Sequence, residues 1–346
     1  MRYIIVLIVP VLGYFSLLSN GVWSYFVAFD ALIVIALLDV FVGTRKQKHT
    51  KEAEKRLTGH KGFKALLYLM IPIQYGAVWI YLNSLSQTPD LTTRIGLTLS
   101  MGVLCGVTGI NVAHELGHKQ NKLDQFLAKL LLLSSSYMHF FIEHNEGHHR
   151  NVGQPGEPGT ALKGEAIYPF YFRALVNVYR HAWKVEKERL QTAGVNIVSA
   201  QNRMLQFLVL QLGFWAAIVT LFNWNTLFWY LGAALIGVLL LESLNYVEHY
   251  GLVRKEIKPG IYESISPKHS WNSDHWVSRT VLFDLPLHAD HHIYGSKEYQ
   301  VLNSREEAPQ MPLGYAGMIL MALVPPIWFR VMNKKIDALN LESDSD

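Results

Sequence analysis

Six long stretches of mostly apolar residues constrain the fold of this chain more than any other feature of its sequence. A transmembrane helix needs about 20 consecutive apolar residues, and half of the 346 residues are hydrophobic while only 17% are charged. The pattern predicts an all-α, polytopic integral membrane protein with six transmembrane helices in a single domain. The predicted spans are residues 3–18, 25–42, 65–84, 95–113, 205–222 and 227–247.

Basic residues give the predicted spans an orientation. Residues 43–64, between the second and third spans, contain eight lysines and arginines, whereas the loops after spans one, three and five contain almost none. Because basic loops are retained in the cytoplasm, this loop and both termini are predicted to face the cytoplasm. No small-residue cleavage site follows residues 3–18, so we expect this segment to be retained.

Two further apolar stretches are more polar than the predicted spans or are interrupted. Residues 123–142 include Asp124, Lys129 and three serines, and residues 314–329 are broken by Pro325 and Pro326. Both are predicted to be interfacial or re-entrant helices, because a span at 123–142 would place the first two histidine groups on opposite faces of the membrane. The acidic residues 340–346 are predicted to form a disordered tail.

Nine of the fifteen histidines stand in four short groups, all on the predicted cytoplasmic side. Histidines four residues apart lie on one face of a helix, and neutral imidazole is the commonest protein ligand of divalent metals. Nine rings are too many for one ion and suit two, so the groups predict a di-metal site. The predicted ligands are His114, His118, His144, His148, His149, His249, His288, His291 and His292.

The donor set favours redox iron among the metals that imidazole binds. The one cysteine, Cys105, cannot form a cysteine-based zinc or iron–sulfur site by itself. A structural zinc site needs four ligands in a closed tetrahedron, whereas nine nitrogens can serve two ions that keep open positions. Carboxylates commonly orient metal-binding imidazoles, and Glu115, Glu248 and Asp290 are predicted to do so because they adjoin the histidines in sequence.

Other function classes fit the sequence less well. Residues 114–118 match the His-Glu-x-x-His pattern of zinc proteases, with Glu115 as general base, but that reading leaves seven clustered histidines unexplained. A metal transporter would need polar residues along a path through the spans. No basic face interleaved with aromatic residues is present, so the sequence excludes a nucleic-acid partner.

The histidine groups resemble those of the membrane-bound alkane 1-monooxygenase (alkane hydroxylase) family, which is related to xylene monooxygenase and to the membrane fatty-acid desaturases. The third group is the most specific, because desaturases usually carry a different sequence there. The resemblance runs through most of the chain. Its motifs are His114–Lys119, Glu143–His149, Gly164–Tyr168, Asn245–Leu252, His269–Ser273, His288–His292 and Tyr299–Gln300.

This resemblance implies a non-haem di-iron site in which the nine histidines bind two iron ions. It also implies hydroxylation of a terminal methyl group by O2, which converts an n-alkane into a 1-alkanol. Electrons are then expected from rubredoxin, which an NADH-dependent rubredoxin reductase reduces, and the hydrocarbon substrate is expected to enter from the membrane lipid.

The chain departs from the family pattern near the fourth histidine group. Leu285, Pro286 and Leu287 stand where the family usually has Leu-Gln-Arg, and residues 307–312 look more like the xylene-type relatives. These departures leave the metal site intact but keep two alternative substrates open: a methyl-substituted aromatic compound, or a fatty-acyl chain as in desaturases and hydroxylases.

The sequence also supports predictions for several residues outside the histidine groups. Gly102, Gly106 and Gly109 are expected to allow close helix packing, although they also leave room for a linear chain. The additional histidines His139, His181, His269 and His275 are expected to be structural. His269 and His275 are also candidates for orienting the metal-binding imidazoles. Exposed basic residues are predicted to dock the acidic electron carrier: Lys119, Lys122, Arg150, Arg173, Lys184, Lys187, Arg189 and Arg254.

Overall fold

Long apolar helices dominate the computed structural model, which describes residues 2–343. Within those residues, five helices are long and apolar enough to cross a membrane. They coincide with the second to sixth predicted spans, and the prediction is confirmed at this level. Their bounds are Gly21–Val42, Lys61–Gln87, Leu91–Gly117, Arg203–Leu221 and Trp224–His249.

The N-terminal segment differs from these five helices in length. It folds as the helix Arg2–Leu17, which is shorter than the other candidate spans. A further candidate lies at the other end of the chain, where Tyr315–Ala322 and Pro325–Leu339 form a helix pair bent by 118°. Proline interrupts helical hydrogen bonding, so the bend lies where Pro325 and Pro326 follow the first helix. Counting this pair as one span would give six.

The remaining elements are shorter or more polar. Lys122–Ser134 lies in the stretch predicted to be interfacial, and its 13 residues extend only about 20 Å at 1.5 Å per residue, less than the ~30 Å hydrocarbon thickness. The predicted tail begins inside the helix Pro325–Ser343, and residues 344–346 lie outside the described residues. The other helices and the two strands are Lys51–Leu57, Phe140–Ile142, His149–Asn151, Ile167–Thr192, Pro267–His269, Trp276–Val281, His288–Ile293, Tyr299–Val301, Glu256–Lys258 and Ile261–Tyr262.

Side-chain caps fix where two of the long helices begin. The Asp90 carboxylate accepts hydrogen bonds from the backbone N–H groups of Thr92 and Thr93 at the start of Leu91–Gly117. The Asn202 side chain does the same for Met204 at the start of Arg203–Leu221. Such caps satisfy N–H groups that have no partner inside the helix.

Three segments depart from α-helical geometry by forming π-helical turns. Asp30–Val34 and Cys105–Ile110 interrupt two of the long apolar helices, and Glu143–His148 contains the second histidine group. Each π-turn accommodates one extra residue, and such turns are frequent at functional sites. The turn at Cys105–Ile110 lies just before the helix Asn111–Gly117, which carries His114.

The first of two compact units consists of Met1–Ala31, Gly59–Gly147 and Val178–Leu241. Glycines allow two of its helices to pack closely. A Cβ atom on Gly237 would lie 2.6 Å from the Cβ atom of Cys105 and 3.0 Å from the backbone nitrogen of Gly106. Gly102 faces Ile236 in the same way. The expected packing role of Gly102 and Gly106 is therefore confirmed.

The second unit consists of Leu32–Thr58, His148–Asn177 and Glu242–Asp346. Its apolar core includes the buried rings of Tyr246, Trp271 and Trp328. A polar network lies beside its loops: the fully buried Arg279 guanidinium binds Asp284 at 3.1 Å and donates to the backbone carbonyl of Arg45 at 2.6 Å. This network attaches residues 45–47 to the segment that precedes the fourth histidine group.

Candidate metal centre

Three of the predicted ligands come together in the first unit. His114 lies in the last turn of Asn111–Gly117, and His118 follows that helix directly. Their Nε2 atoms are 3.3 Å apart, and the Nε2 atom of His144 is 3.1 Å from that of His118. The ring of Phe140 stacks on His144 with centroids 4.7 Å apart. The spacing of four residues therefore directs His114 and His118 toward one point, as the sequence predicts.

Four other predicted ligands form a buried cluster in the second unit. His148, His249, His288 and His292 each offer one ring nitrogen, and these nitrogens all lie within 4.8 Å of one another. The Nε2 atom of His288 is 3.1 Å from that of His249 and 2.9 Å from that of His292. Every ring is at most 5% exposed, so the nitrogens converge on a point that is shielded from water. We call these four residues the four-histidine cluster.

The last two predicted ligands form a pair in the same unit. The Nε2 atoms of His149 and His291 are 3.1 Å apart. The ring of His149 also stacks on that of His292, with centroids 4.5 Å apart. All nine predicted ligands therefore have a close imidazole neighbour. Among the described residues, His139, His181, His269 and His275 belong to none of these three sets of histidines.

The spacing of the converging nitrogens fits a metal ion. Metal–imidazole bonds of roughly 2.0–2.1 Å, as in zinc sites, place two ligand nitrogens about 2.9–3.4 Å apart when the angle at the metal is about 90–110°. The observed separations of 2.9–3.3 Å lie in that range. Burial lowers the pKa of His292 well below its usual value, and the neighbouring imidazoles lower it further. The ring is thus neutral, which is the form that binds metals.

Glu157 holds the outward nitrogen of one ligand. Its Oε1 atom is 2.9 Å from Nδ1 of His148 and also accepts from the backbone N–H of Gly159, and its other oxygen accepts from the Thr160 hydroxyl. Burial alone would raise the pKa of this carboxyl, but His148, Thr160 and Gly159 lower it to about 2. The resulting carboxylate accepts from the Nδ1–H group and leaves Nε2 of His148 for the cluster.

Two other ligands of the four-histidine cluster also have outward partners. Nδ1 of His249 lies 3.3 Å from the backbone carbonyl oxygen of His269. Nδ1 of His288 lies 3.3 Å from Oε1 of Glu248, and the Tyr315 hydroxyl donates to the same oxygen at 2.6 Å. The contact with the His269 carbonyl orients the ring of His249 and fixes which of its nitrogens points inward.

The three carboxylates singled out in the sequence occupy different surroundings. Glu248 lies beside His288, as described. Glu115 pairs with Lys119 at 2.6 Å, one helical turn away. Asp290 is buried between Lys297, at 2.9 Å, and Arg305, and it also accepts from the backbone N–H of Asn303. These contacts of Asp290 are with cations and backbone, and they anchor the helix that carries the fourth histidine group.

The sequence reasoning missed Glu157 and the His269 carbonyl. Glu157 lies in a loop of glycines and prolines, eight residues after His149, and no helical spacing relates it to a ligand. A backbone carbonyl leaves no trace in a sequence. Of the additional histidines, His181 binds Glu143 at 3.1 Å, and burial lowers the pKa of His139 to about 4, which keeps that ring neutral.

Comparison with known proteins places this chain in the fatty acid desaturase family, close to alkane 1-monooxygenases. The fatty acid desaturase family model matches residues 92–320. An alkane 1-monooxygenase of Ectopseudomonas oleovorans is 37% identical over 332 residues, covering 94% of this chain and 82% of that protein. Alkane 1-monooxygenase 1 of Alcanivorax borkumensis is 36% identical over 325 residues, covering 93% and 80%.

A further relative differs in its named substrate. The hydroxylase component of a xylene/toluene monooxygenase from Pseudomonas putida is 28% identical over 350 residues, covering 96% of this chain and 88% of that protein. Its identity to this chain is lower than that of the two alkane 1-monooxygenases, although the similarity also extends over nearly the whole length.

Proposed function

This chain belongs to the fatty acid desaturase family and, within it, to the alkane 1-monooxygenases, and from that membership we propose that it hydroxylates the terminal methyl group of n-alkanes. One oxygen atom of O2 enters the product and the other leaves as water, so each turnover consumes two electrons and two protons and yields a 1-alkanol. The observation that carries this proposal is the four-histidine cluster, in which buried imidazole nitrogens converge at metal-binding distances.

The proposed cofactor is a pair of non-haem iron ions bound by the nine histidines. The four-histidine cluster would supply the ligands of one ion, and His114, His118 and His144 would supply ligands of the second. Bound iron would supply the reducing equivalents and the open coordination positions that O2 activation needs. The family relationship and an all-imidazole donor set without thiolate support iron over a cysteine-based site.

The protein residues orient and shield this centre. Glu157 and the His269 carbonyl hold the outward nitrogens of His148 and His249, so the inward nitrogens of these two rings are fixed before any metal binds. Glu248 lies 3.3 Å from Nδ1 of His288. Glu115 and Asp290, which pair with Lys119 and with Lys297 and Arg305, are proposed to hold the backbone of the ligand-bearing segments in place. Burial of the cluster excludes water from the reacting carbon.

The apolar helices are proposed to cross the bacterial inner membrane and to admit the alkane from the lipid. In the helices Gly21–Val42 and Arg203–Leu221, only 17% of the residues in the most apolar stretch are buried. That exposure suits contact with lipid tails. The basic residues of the loop 43–64 support a cytoplasmic location for the metal centre.

We propose rubredoxin as the electron donor, itself reduced by an NADH-dependent rubredoxin reductase. Each rubredoxin delivers one electron, so two deliveries complete one turnover. A methyl-substituted aromatic compound is the second candidate substrate, and the similarity to the xylene/toluene monooxygenase component supports it. A fatty-acyl chain is the third, because the family model is named for desaturases.

The test combines turnover with metal analysis. Purified protein in nanodiscs receives rubredoxin, its reductase, NADH and O2, together with separate substrates: n-octane, n-hexadecane, p-xylene and stearoyl-CoA. Mass spectrometry of the products is expected to show 1-octanol or 1-hexadecanol as the main product. Elemental analysis is expected to find two irons per chain.

The matched variants are His249→Ala, which removes a ligand of the four-histidine cluster, and His60→Asn. His60 is exposed and accepts from the backbone N–H of Gly62, a bond that asparagine preserves. His249→Ala is expected to lose at least one iron and at least 100-fold in product formation, while His60→Asn keeps both. Zinc in place of iron would overturn the alkane proposal. So would a main product that is a desaturated acyl chain or an aromatic alcohol.

A further inference from the structure

A small β-hairpin on the second unit projects apolar and basic side chains away from the fold. Strands Glu256–Lys258 and Ile261–Tyr262 pair in antiparallel fashion around Pro259 and Gly260. Ile257 and Ile261 are 64% and 57% exposed, although isoleucine is among the residues most often buried. We call five of its exposed residues, Val253, Lys255, Ile257, Lys258 and Ile261, the hairpin surface. Glu256 is also exposed, and its carboxylate accepts from the backbone N–H of Gly260 in the turn.

The base of this hairpin contacts the supports of the four-histidine cluster. Glu263, the residue after the second strand, lies 3.2 Å from Nε2 of His269. The backbone carbonyl of His269 in turn lies 3.3 Å from Nδ1 of His249. Through these two contacts, His269 connects the base of the hairpin to His249, a proposed iron ligand.

A second set of contacts leads to another ligand-bearing segment. The backbone N–H of Arg254 donates to the carbonyl of Gly153, and the Arg254 guanidinium donates to the carbonyls of Arg150 and Glu263. Gly153 belongs to the loop whose Glu157 holds His148. The hairpin base therefore contacts both segments that support the four-histidine cluster: the loop that contains Glu157 and the segment that contains His269.

We propose that the hairpin surface is where a small acidic one-electron carrier protein docks to reduce the metal centre. This inference rests on the proposed function and names the place on the chain where its electrons enter. Lysines flank the two isoleucines at positions 255 and 258, and Arg150 and Lys268 are exposed nearby in the same unit. An apolar centre with a basic rim suits an acidic partner, because opposite charges accelerate encounter while apolar contact holds the complex.

Three of the other basic residues predicted for docking, Arg173, Arg189 and Arg254, are less suited to it. Arg173 and Arg189 are held by Glu165 and Glu186, at 2.8 and 2.7 Å. The guanidinium of Arg254 is engaged at the hairpin base. A cation already paired within the protein offers less to a partner, so docking by the hairpin lysines is the more specific assignment.

The electron count is simple. A reduced carrier gives up one electron on docking and leaves oxidised, and a second reduced carrier repeats the step. The two electrons, with two protons from solvent, meet the demand of one O2 per alkane. No reductant other than the carrier is required.

The test measures binding of reduced rubredoxin to the full-length protein in nanodiscs. The double variant Lys255→Glu with Lys258→Glu is expected to raise the Kd at least tenfold at about 50 mM salt. The matched control is Lys51→Glu with Lys55→Glu, two exposed lysines on the helix Lys51–Leu57, and it is expected to change the Kd less than twofold. The difference should shrink at about 0.5 M salt, since salt screens exposed charges.

A second pair of variants tests the apolar centre. Ile257→Ser with Ile261→Ser is expected to weaken binding about tenfold at every salt concentration, because apolar burial is insensitive to screening. The control is Val198→Ser, a residue that is 83% exposed on the first unit. Iron content and the thermal midpoint are measured for each variant, so a loss of binding with both unchanged reports docking. Wild-type binding by both hairpin variants would overturn the proposal.

A membrane contact of the hairpin is the competing outcome. The only cysteine, Cys105, is fully buried, so an environment-sensitive fluorophore on Ile257→Cys labels the hairpin selectively. Docking predicts a spectral shift only when rubredoxin is added. Quenching by nitroxide lipids without the carrier would overturn docking in favour of bilayer contact. If rubredoxin binds here but wild-type protein forms no alkanol, the proposed function fails and the docking assignment stands.

Discussion

The two compact units place their histidines by different means. In the first unit, His114 and His118 follow from the period of one long helix, which glycines hold against another helix. In the second unit, His148, His288 and His292 stand on short segments, with Glu157 beside His148 and the Arg279 network just before the fourth histidine group. His249 ends the long helix Trp224–His249, and the His269 carbonyl contacts its outward nitrogen. A ligand on a regular helix needs close packing, whereas a ligand on loops needs a satisfied polar network.

The largest effect that this comparison predicts is at Arg279. Arg279→Met leaves Asp284 and Asp274 without their buried cation, and breaking a buried ion pair costs about 3–5 kcal/mol. We expect a large fall in the midpoint of thermal unfolding in detergent. Arg203→Met in the first unit is the matched change. It should cost less, because Arg189 still pairs with Glu186 and the Arg203 side chain is 21% exposed. Equal falls in the unfolding midpoint of the two variants would contradict the proposed difference between the two units.

An intermediate effect is expected at Glu157. Glu157→Gln removes the charge that accepts from Nδ1 of His148, and loss of such a support typically lowers metal affinity 10- to 100-fold. Competition with a chelator measures that affinity. The exposed Glu52, changed to Gln, is the control and should leave metal affinity unchanged. An unaltered affinity in Glu157→Gln would mean that the loop is not needed to hold the ligand.

The smallest effect is expected at a helix contact of the first unit. Gly237→Ala places a methyl group against Cys105 and the backbone of Gly106, and such overpacking costs about 1–3 kcal/mol. Gly213→Ala is the control: nothing lies within 4 Å of its Cβ position, so the better helix propensity of alanine should stabilise the protein slightly. If Gly237→Ala and Gly213→Ala shift the unfolding midpoint in the same direction and by the same amount, the packing argument is contradicted.

The same contrast explains what the sequence could predict. Five of the six predicted spans coincide with helices that are long and apolar enough to cross a membrane, because runs of apolar residues carry a strong local signal. The N-terminal helix Arg2–Leu17 nearly matches the predicted residues 3–18 but is shorter than the other candidate spans, and Pro325 divides the C-terminal apolar stretch into a bent pair. The nine histidines were recognisable from spacing and residue type. Glu157 and the His269 carbonyl were not, because their positions depend on how loops fold back on the cluster.

The π-turn at Cys105–Ile110 gives the helix Leu91–Gly117 a property that its length alone does not. One additional residue in a turn rotates everything after it by about 100° around the helix axis. The span therefore sets the azimuth of His114 and His118 as well as their depth in the membrane. Removing a single residue between 105 and 110 would keep the helix apolar and long enough to cross, yet it would swing both imidazoles to another side of the bundle.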